Sequence, residues 1–334
     1  MKRSEDERMG SRYKELHERL NLWYREHGRH DLPWRQTRDP YRIYLSEIML
    51  QQTQVSTVLE RFYFPFLERF PTLAVVAEAS EEEVLKAWEG LGYYSRARHL
   101  HRTARLCNGV LPSTSQELER LPGIGRSTAR AIACFAFDEA APILDANVRR
   151  ILYRFFRRRK ATERELWRMA ERLFDAKRPY DYNQAMMDLG AMICTPKDPR
   201  CDLCPLREGC RGRQAPERYP EAKKASKTPV RRAKILLCER GGAWALSQSR
   251  ERFHGGLWHF PRFEDEVSGE FLGRELARYS HFALEAEIWR VAVLPKDYDK
   301  PIGFFTPKSI EELPLGGIDR KIFKKYFGVL SVES

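Results

Sequence analysis

Four cysteines fall within seventeen residues, in CTPKDPRCDLCPLREGC, at Cys194, Cys201, Cys204 and Cys210. The spacing is C-x6-C-x2-C-x5-C, and four thiolates in so short a loop can wrap one tetrahedral or cubane centre. The chain has seven cysteines, so an odd total with one tight cluster argues against a secreted disulfide framework and for a metal site. Zinc sites commonly present two separated C-x2-C pairs. Here a single C-x2-C is flanked by longer, unequal arms, which favours a [4Fe–4S] cluster over zinc.

Ahead of that loop the chain reads as helix after helix. DPYRIYLSEIMLQQTQVSTVLERF opens on Asp39 as N-cap with Pro40 at the first helical position. SEEEVLKAWEGLG carries Ser80 and Glu83 at capping-box spacing and stops at glycine. After Cys210 the character changes. RGRQAPERYPEAKKASKTPVRR is rich in charge and proline and reads as a linker over 211–232. Strand patterns then follow, with KILLCER, Gly241-Gly242 and AWALSQS predicting a hairpin and HFALEAEIWRVAVL a further strand. GIDRKIFKKYFGVL predicts a terminal amphipathic helix. The expectation is a mainly α region to about residue 220 and a small α/β domain over 233–334.

Charge narrows the partner. The formal net charge is +12, and the basic residues cluster. Val148 to Lys160 holds seven Lys/Arg, Lys223 to Lys234 six, and Tyr93 to Arg105 four Arg with two His, all without an acid. One such run reads as a solvated face, but three, two of them interleaved with aromatics, point to nucleic acid. No apolar run approaches the ~18 residues of a membrane span. The charged N-terminus has no apolar core of the secretory type, so the expected location is the cytoplasm or a bacterial nucleoid.

Three short stretches carry the candidate chemistry. In LERLPGIGRSTARAI, Gly123 and Gly125 permit a tight turn and leave backbone N–H groups open to a phosphate oxygen. In PILDANVRRIL, Asp145 suits an N-cap and also suits an anion kept ionised by a helix N-terminus and nearby arginines. In YLSEIMLQQTQV, Glu47 is the one formal charge between Ile43 and Leu59.

Together, LPWRQTRDPYRIYLSEIMLQQTQV, GLGYYSRARHL, LPGIGRSTARAI, ILDANVRR and the cysteine loop resemble the adenine DNA glycosylase (MutY) family. That family lies within the helix-hairpin-helix (HhH) base-excision glycosylases, and the resemblance covers nearly the whole chain. It implies an HhH fold of two helical lobes with an iron–sulfur loop, followed by a Nudix-like domain. It implies a monomer that acts on double-stranded DNA containing adenine opposite 8-oxoguanine or guanine. Glu47 matches the acid that protonates N7 of the extruded adenine, and Asp145 the carboxylate that stabilises the oxocarbenium-like sugar. No cation neighbours Glu47 along its helix, so burial would raise its pKa toward neutrality.

The resemblance also assigns DNA contacts. Gln52 and Tyr93 match side chains that enter the base stack, with Leu91 beside them. Arg35 matches an adenine-pocket arginine, and Asn147 a support for Asp145. Ser127 stands where the endonuclease III-like lyases carry a Schiff-base lysine, which implies monofunctional hydrolysis. Tyr279, Ser280 and His281 match an 8-oxoguanine-sensing loop that usually begins with Phe. No cluster of glutamates of the Nudix hydrolase kind is present, so pyrophosphatase activity is not expected. The rival readings are an endonuclease III-like lyase and a non-enzymatic iron–sulfur DNA-binding protein.

Overall fold

The computed structural model describes residues 2–222, 228–250, 255–279 and 282–327, with side chains from residue 13 onward. Ser280 and His281, expected in a sensing loop, lie outside the described residues. In chain order the helices are α1 (Lys2–His27), α2 (Pro40–Met49), α3 (Val55–Arg61), α4 (Tyr63–Arg69), α5 (Leu73–Glu78), α6 (Glu81–Ala87) and α7 (Ser95–Leu106). They continue as α8 (Ser115–Leu118), α9 (Arg126–Phe137), α10 (Ala146–Phe155), α11 (Glu163–Leu173), α12 (Pro179–Met192), α13 (Pro307–Glu312) and α14 (Gly317–Phe327). Among the described residues no helix is long and apolar enough to cross a membrane.

Local chemistry sets several of these ends. Asp39 Oδ1 accepts from the N–H groups of Tyr41 at 2.8 Å and Arg42 at 3.2 Å, and starts α2. Ser80 and Glu83 close the expected capping box at α6, and Thr162 with Glu165 closes another at α11. The neutral stretch after Glu47 is not continuous helix. α2 stops at Met49, Gln52 takes φ +58°, and α3 begins at Val55.

Internal contacts divide the chain into two compact units, Met1–Ile48 with Leu111–Lys224, and Met49–Val110 with Ala225–Ser334. The expected division at 220–233 differs from this, because residues 49–110 group with the C-terminal part. In the first unit, α1, α10, α11 and α12 share a core of Leu16, Leu20, Val148, Leu152, Leu166 and Leu189, against which Cys194, Cys204 and Cys210 pack.

The second unit holds the sheet. Its strands are β1 (Val230–Arg240), β2 (Ala243–Gln248), β3 (Trp258–His259), β4 (Arg262–Phe263), β5 (Glu270–Arg278), β6 (Ala283–Val291) and β7 (Gly303–Phe305). The order is β3-β2-β1-β6-β5, with β4 on β1 and β7 on β2. β1 and β6 run parallel, and the other pairs are antiparallel. Gly241 and Gly242, both at positive φ, make the two-residue turn of the predicted hairpin. β1 begins at Val230, so the expected linker yields its last three residues to the strand. α13 and α14 cover the sheet with Ile310, Ile322 and Phe323 against Ile235, Leu237 and Ile288. Within this unit Glu89 pairs with Arg320, and Trp258 Nε1 donates to Glu82 at 2.5 Å, so α6 is tied to the C-terminal part.

Candidate active site

The first unit brings Glu47 and Asp145 into one electrostatic neighbourhood. Glu47 sits in the last turn of α2 among Ile43, Tyr44 and Ile48, each at most 2% exposed. Glu47 itself is half-buried, and the loss of water around its carboxyl pushes its pKa from the usual 4.5 up to about 7. The Asp145 carboxylate adds to that rise, and Arg35 acts against it.

Asp145 is the N-cap of α10. Its Oδ1 accepts from the Val148 N–H at 2.7 Å, and its Oδ2 from Asn147 Nδ2 at 3.1 Å. The sequence offered two readings of Asp145, an N-cap and a carboxylate kept ionised by its helix N-terminus and nearby arginines. Burial comes first and carries the pKa upward, while the Val148 and Asn147 donors and the Arg150 charge oppose it. The two carboxyls titrate as a pair. Asp145, standing on direct donors, is the member that ionises first. Glu47, raised further by that charge, is the member that keeps a proton near neutral pH.

Asn147 is held in turn. Arg150 Nη2 donates to Asn147 Oδ1 at 2.9 Å and to the Gly190 carbonyl at 2.6 Å, and Arg150 Nε to the Cys194 carbonyl at 2.7 Å. Gly190 is required for this approach, because a Cβ there would stand 2.4 Å from Asn147 Cβ. Ser127 Oγ accepts from the Leu144 N–H at 3.1 Å, which fastens α9 to the residue before Asp145. Gly123, at φ +74°, turns the hairpin, and Gly125 is an N-cap with no side chain over the first amides of α9.

Arg35 is not a free pocket arginine. It forms a fork on Asp188, with Nη1 to Oδ2 at 2.6 Å and Nη2 to Oδ1 at 2.9 Å. Arg29 joins through Nε at 2.7 Å and its backbone N–H at 2.9 Å. Asp188 is fully buried, yet the Arg35 fork and the Arg29 contacts outweigh burial and hold its pKa below the usual value. One donor remains, since Arg35 Nε is buried and has no hydrogen-bond partner among the described residues. Sequence reasoning missed Asp188, Arg29 and Arg150. Asp188 carried a usable signal, because it is the one formal charge between Tyr182 and Cys194.

The four cluster cysteines line a common cavity with Arg154, Ile193 and Arg207. Burial raises the thiols of Cys201, Cys204 and Cys210, the second to about 12, so they stay protonated at neutral pH. Arg154 is buried and donates to the carbonyls of Thr195, Pro196, Pro216 and Tyr219 and to Cys194 Sγ at 3.3 Å. Among the described residues no three His, Cys, Asp or Glu side chains are drawn into a single-ion site. The donor set, four thiols on one cavity with an arginine against a sulfur, fits a thiolate-bound group.

The other sequence-predicted residues lie in the second unit. Gln52 is exposed at φ +58°, and Tyr93 is 40% exposed at φ +50°. Leu91 is buried at 6%, so its side chain packs in the core. Tyr279 is half-buried and stacks on Phe282 at 4.7 Å, and its backbone N–H donates to the Phe282 carbonyl at 2.9 Å.

A family model described as HhH-GPD superfamily base excision DNA repair protein matches residues 45–175. An adenine DNA glycosylase of Buchnera aphidicola subsp. Baizongia pistaciae is 41% identical over 196 residues, covering 57% of this chain and 56% of its own length. One of Buchnera aphidicola subsp. Schizaphis graminum is 34% identical over 264 residues, covering 73% and 74%. The human adenine DNA glycosylase is 44% identical over 216 residues, covering 59% of this chain and 39% of its own. Among solved structures, a thermostable thymine-DNA glycosylase is 29% identical with a TM-score of 0.56, covering 63% of this chain and 99% of its own. An endonuclease III in a non-covalent DNA complex shares the fold at a TM-score of 0.52 and 23% identity, over 60% of this chain and 93% of its own.

Proposed function

We propose that this chain, which belongs to the adenine DNA glycosylase family, excises adenine from double-stranded DNA by monofunctional hydrolysis of the N-glycosidic bond. The observation that carries this reading is a desolvated Glu47, with a pKa of about 7, beside an Asp145 held by direct donors. The base leaves the stack first, because its reactive edge is paired and stacked inside the duplex. Protonated Glu47 gives its proton to N7 of the adenine. The C1′–N9 bond breaks with its electron pair going to the base. The Asp145 carboxylate faces the positive charge that develops on the sugar. Water then forms the new C1′–O bond, and its proton passes to a carboxylate or to solvent.

The preferred partner opposite adenine is 8-oxoguanine, with guanine second, and the C-terminal sheet acts as a Nudix-like recognition module through Tyr279. Cys194, Cys201, Cys204 and Cys210 would hold a [4Fe–4S] cluster, whose iron–thiolate bonds tie the loop together when bound. The protein acts as a monomer on chromosomal DNA in the cytoplasm. An endonuclease III-like lyase is the second reading. Ser127 speaks against it, since a hydroxyl makes no imine and this one already accepts the Leu144 N–H.

Single-turnover assays on duplexes with adenine opposite 8-oxoguanine, guanine or thymine, and on thymine glycol, test the reading. Adenine release fastest opposite 8-oxoguanine is expected, and release without that preference contradicts it. Tyr279→Ala should narrow the preference for 8-oxoguanine over guanine. Borohydride trapping should capture no adduct with the unsubstituted protein. Iron analysis with visible absorption decides between iron–sulfur and zinc.

A further inference from the structure

The second unit holds two short turns whose conformations are unusual in the same way. Gln52, after α2, and Tyr93, before α7, both have left-handed backbone at φ +58° and +50°. Residues other than glycine seldom adopt it, and it persists only where surrounding structure enforces it. Both side chains are exposed, the tyrosine by 40%.

One buried side chain enforces both. Arg96, in the first turn of α7, is 6% exposed. Its Nη1 donates to the carbonyls of Met49 at 2.8 Å and Gln51 at 2.7 Å. Its Nη2 donates to the carbonyls of Leu91 at 3.2 Å and Gly92 at 3.1 Å, and to Thr53 Oγ1 at 3.2 Å. The acceptors therefore bracket Gln52 on both sides and reach the peptide preceding Tyr93. The guanidinium also stands 5.3 Å from the Tyr93 ring centroid and 5.5 Å from that of Trp88. The Gly92 carbonyl takes a second donor from Trp88 Nε1 at 3.2 Å, which fixes that end of the arrangement.

We infer that Arg96 is a positioning residue that locks the Gln52 and Tyr93 turns into one rigid unit, so that both side chains present to DNA together or not at all. The DNA half of this inference rests on the glycosylase reading above, while the locking rests on the geometry alone. A planar fork reaches both turns at once, with Nη1 on the Met49 and Gln51 carbonyls and Nη2 spanning from Thr53 Oγ1 to the Leu91 and Gly92 carbonyls. A lysine ammonium is a point donor that can satisfy one turn but not span both.

Arg96→Lys is the test, with Thr53→Val as a milder variant that removes the one side-chain acceptor. Backbone amide exchange in the free protein is measured first. Faster exchange at 50–53 and at 91–94 together is expected in Arg96→Lys, and acceleration in one turn alone, or in neither, overturns the lock. Single-turnover adenine release is measured next, on a paired duplex with 8-oxoguanine and on adenine opposite an abasic site, where less stacking must be broken. A loss of roughly tenfold or more is expected on the paired duplex. Less than about threefold is expected opposite the abasic site. Equal losses on the two substrates overturn the DNA half. If the unsubstituted protein releases adenine from neither duplex, the glycosylase reading fails, and the exchange result still decides the lock.

Discussion

Glu47 and Asp188 have the same signature in sequence and opposite fates in the fold. Each is the one formal charge in a long neutral stretch, Ile43–Leu59 for one and Tyr182–Cys194 for the other. Both lose water on folding. Around Asp188 two arginines close in, and its pKa falls. Around Glu47 the neighbours are apolar side chains and a second carboxylate, and its pKa rises to about 7. Isolation along the chain thus marks a carboxylate that loses water on folding, wholly for Asp188 and in part for Glu47, and tertiary partners decide whether it is an ion or an acid. The two sites are linked through Arg35. It lowers the Glu47 pKa, but its fork is committed to Asp188, so much of its charge is already matched.

Removing the acid should have the largest effect. Glu47→Gln should reduce adenine release by about a thousandfold or more while duplex binding persists. The same change should stabilise the protein. Folded Glu47 binds its proton more tightly than the unfolded chain does. Its contribution to stability therefore declines as pH rises from about 4.5 to about 7 and stays unfavourable above, by roughly 3 kcal/mol. Melting of Glu47→Gln against the parent at pH 5 and pH 8 should show the gain mainly at pH 8.

Breaking the ion cluster is the next largest perturbation. Asp188→Asn leaves two guanidinium groups without their carboxylate and should cost about 3–5 kcal/mol in denaturant unfolding. It should also free the Arg35 charge to act on Glu47. The alkaline limb of the rate profile then moves to lower pH, and an unmoved limb would separate the two sites. Asp188 carries the opposite linkage to Glu47. Its stabilisation is present above the usual carboxyl value of 3.8 and is lost as pH falls through its lowered folded value.

Gly190→Ala tests the support of Asp145. The added Cβ meets Asn147, so α12 or the Asn147–Asp145 contact must shift, at about 1–3 kcal/mol of stability. A lower single-turnover rate with little change in affinity should accompany it. The smallest effect belongs to an exposed pair. Arg149 and Glu163 form a fork at 2.5 Å, but Glu163 is 58% exposed, so Glu163→Gln should cost under about 1 kcal/mol.

What the sequence made legible was the chemistry that acts over a few residues. Asp39 with Pro40, Ser80 with Glu83, Gly241-Gly242, and Asp145 as a cap all stand where local rules put them. What it hid was contact across long separations. Arg35 and Asp188 are 153 residues apart, and no local pattern pairs them. The break after Met49 was hidden for a related reason, since the neutral residues that follow favour helix until tertiary contacts hold Gln52 in the left-handed region. The upward shift of the Asp145 pKa was also hidden, because the capping donors are visible in sequence and the burial that outweighs them is not.

The pH dependence of single-turnover adenine release from a duplex carrying 8-oxoguanine tests the central claim most directly. A protonated Glu47 as the acid predicts a rate that is flat below neutrality and falls tenfold per pH unit above about pH 7. A rate that already falls from pH 4 to 5, or that stays level to pH 9, would contradict it.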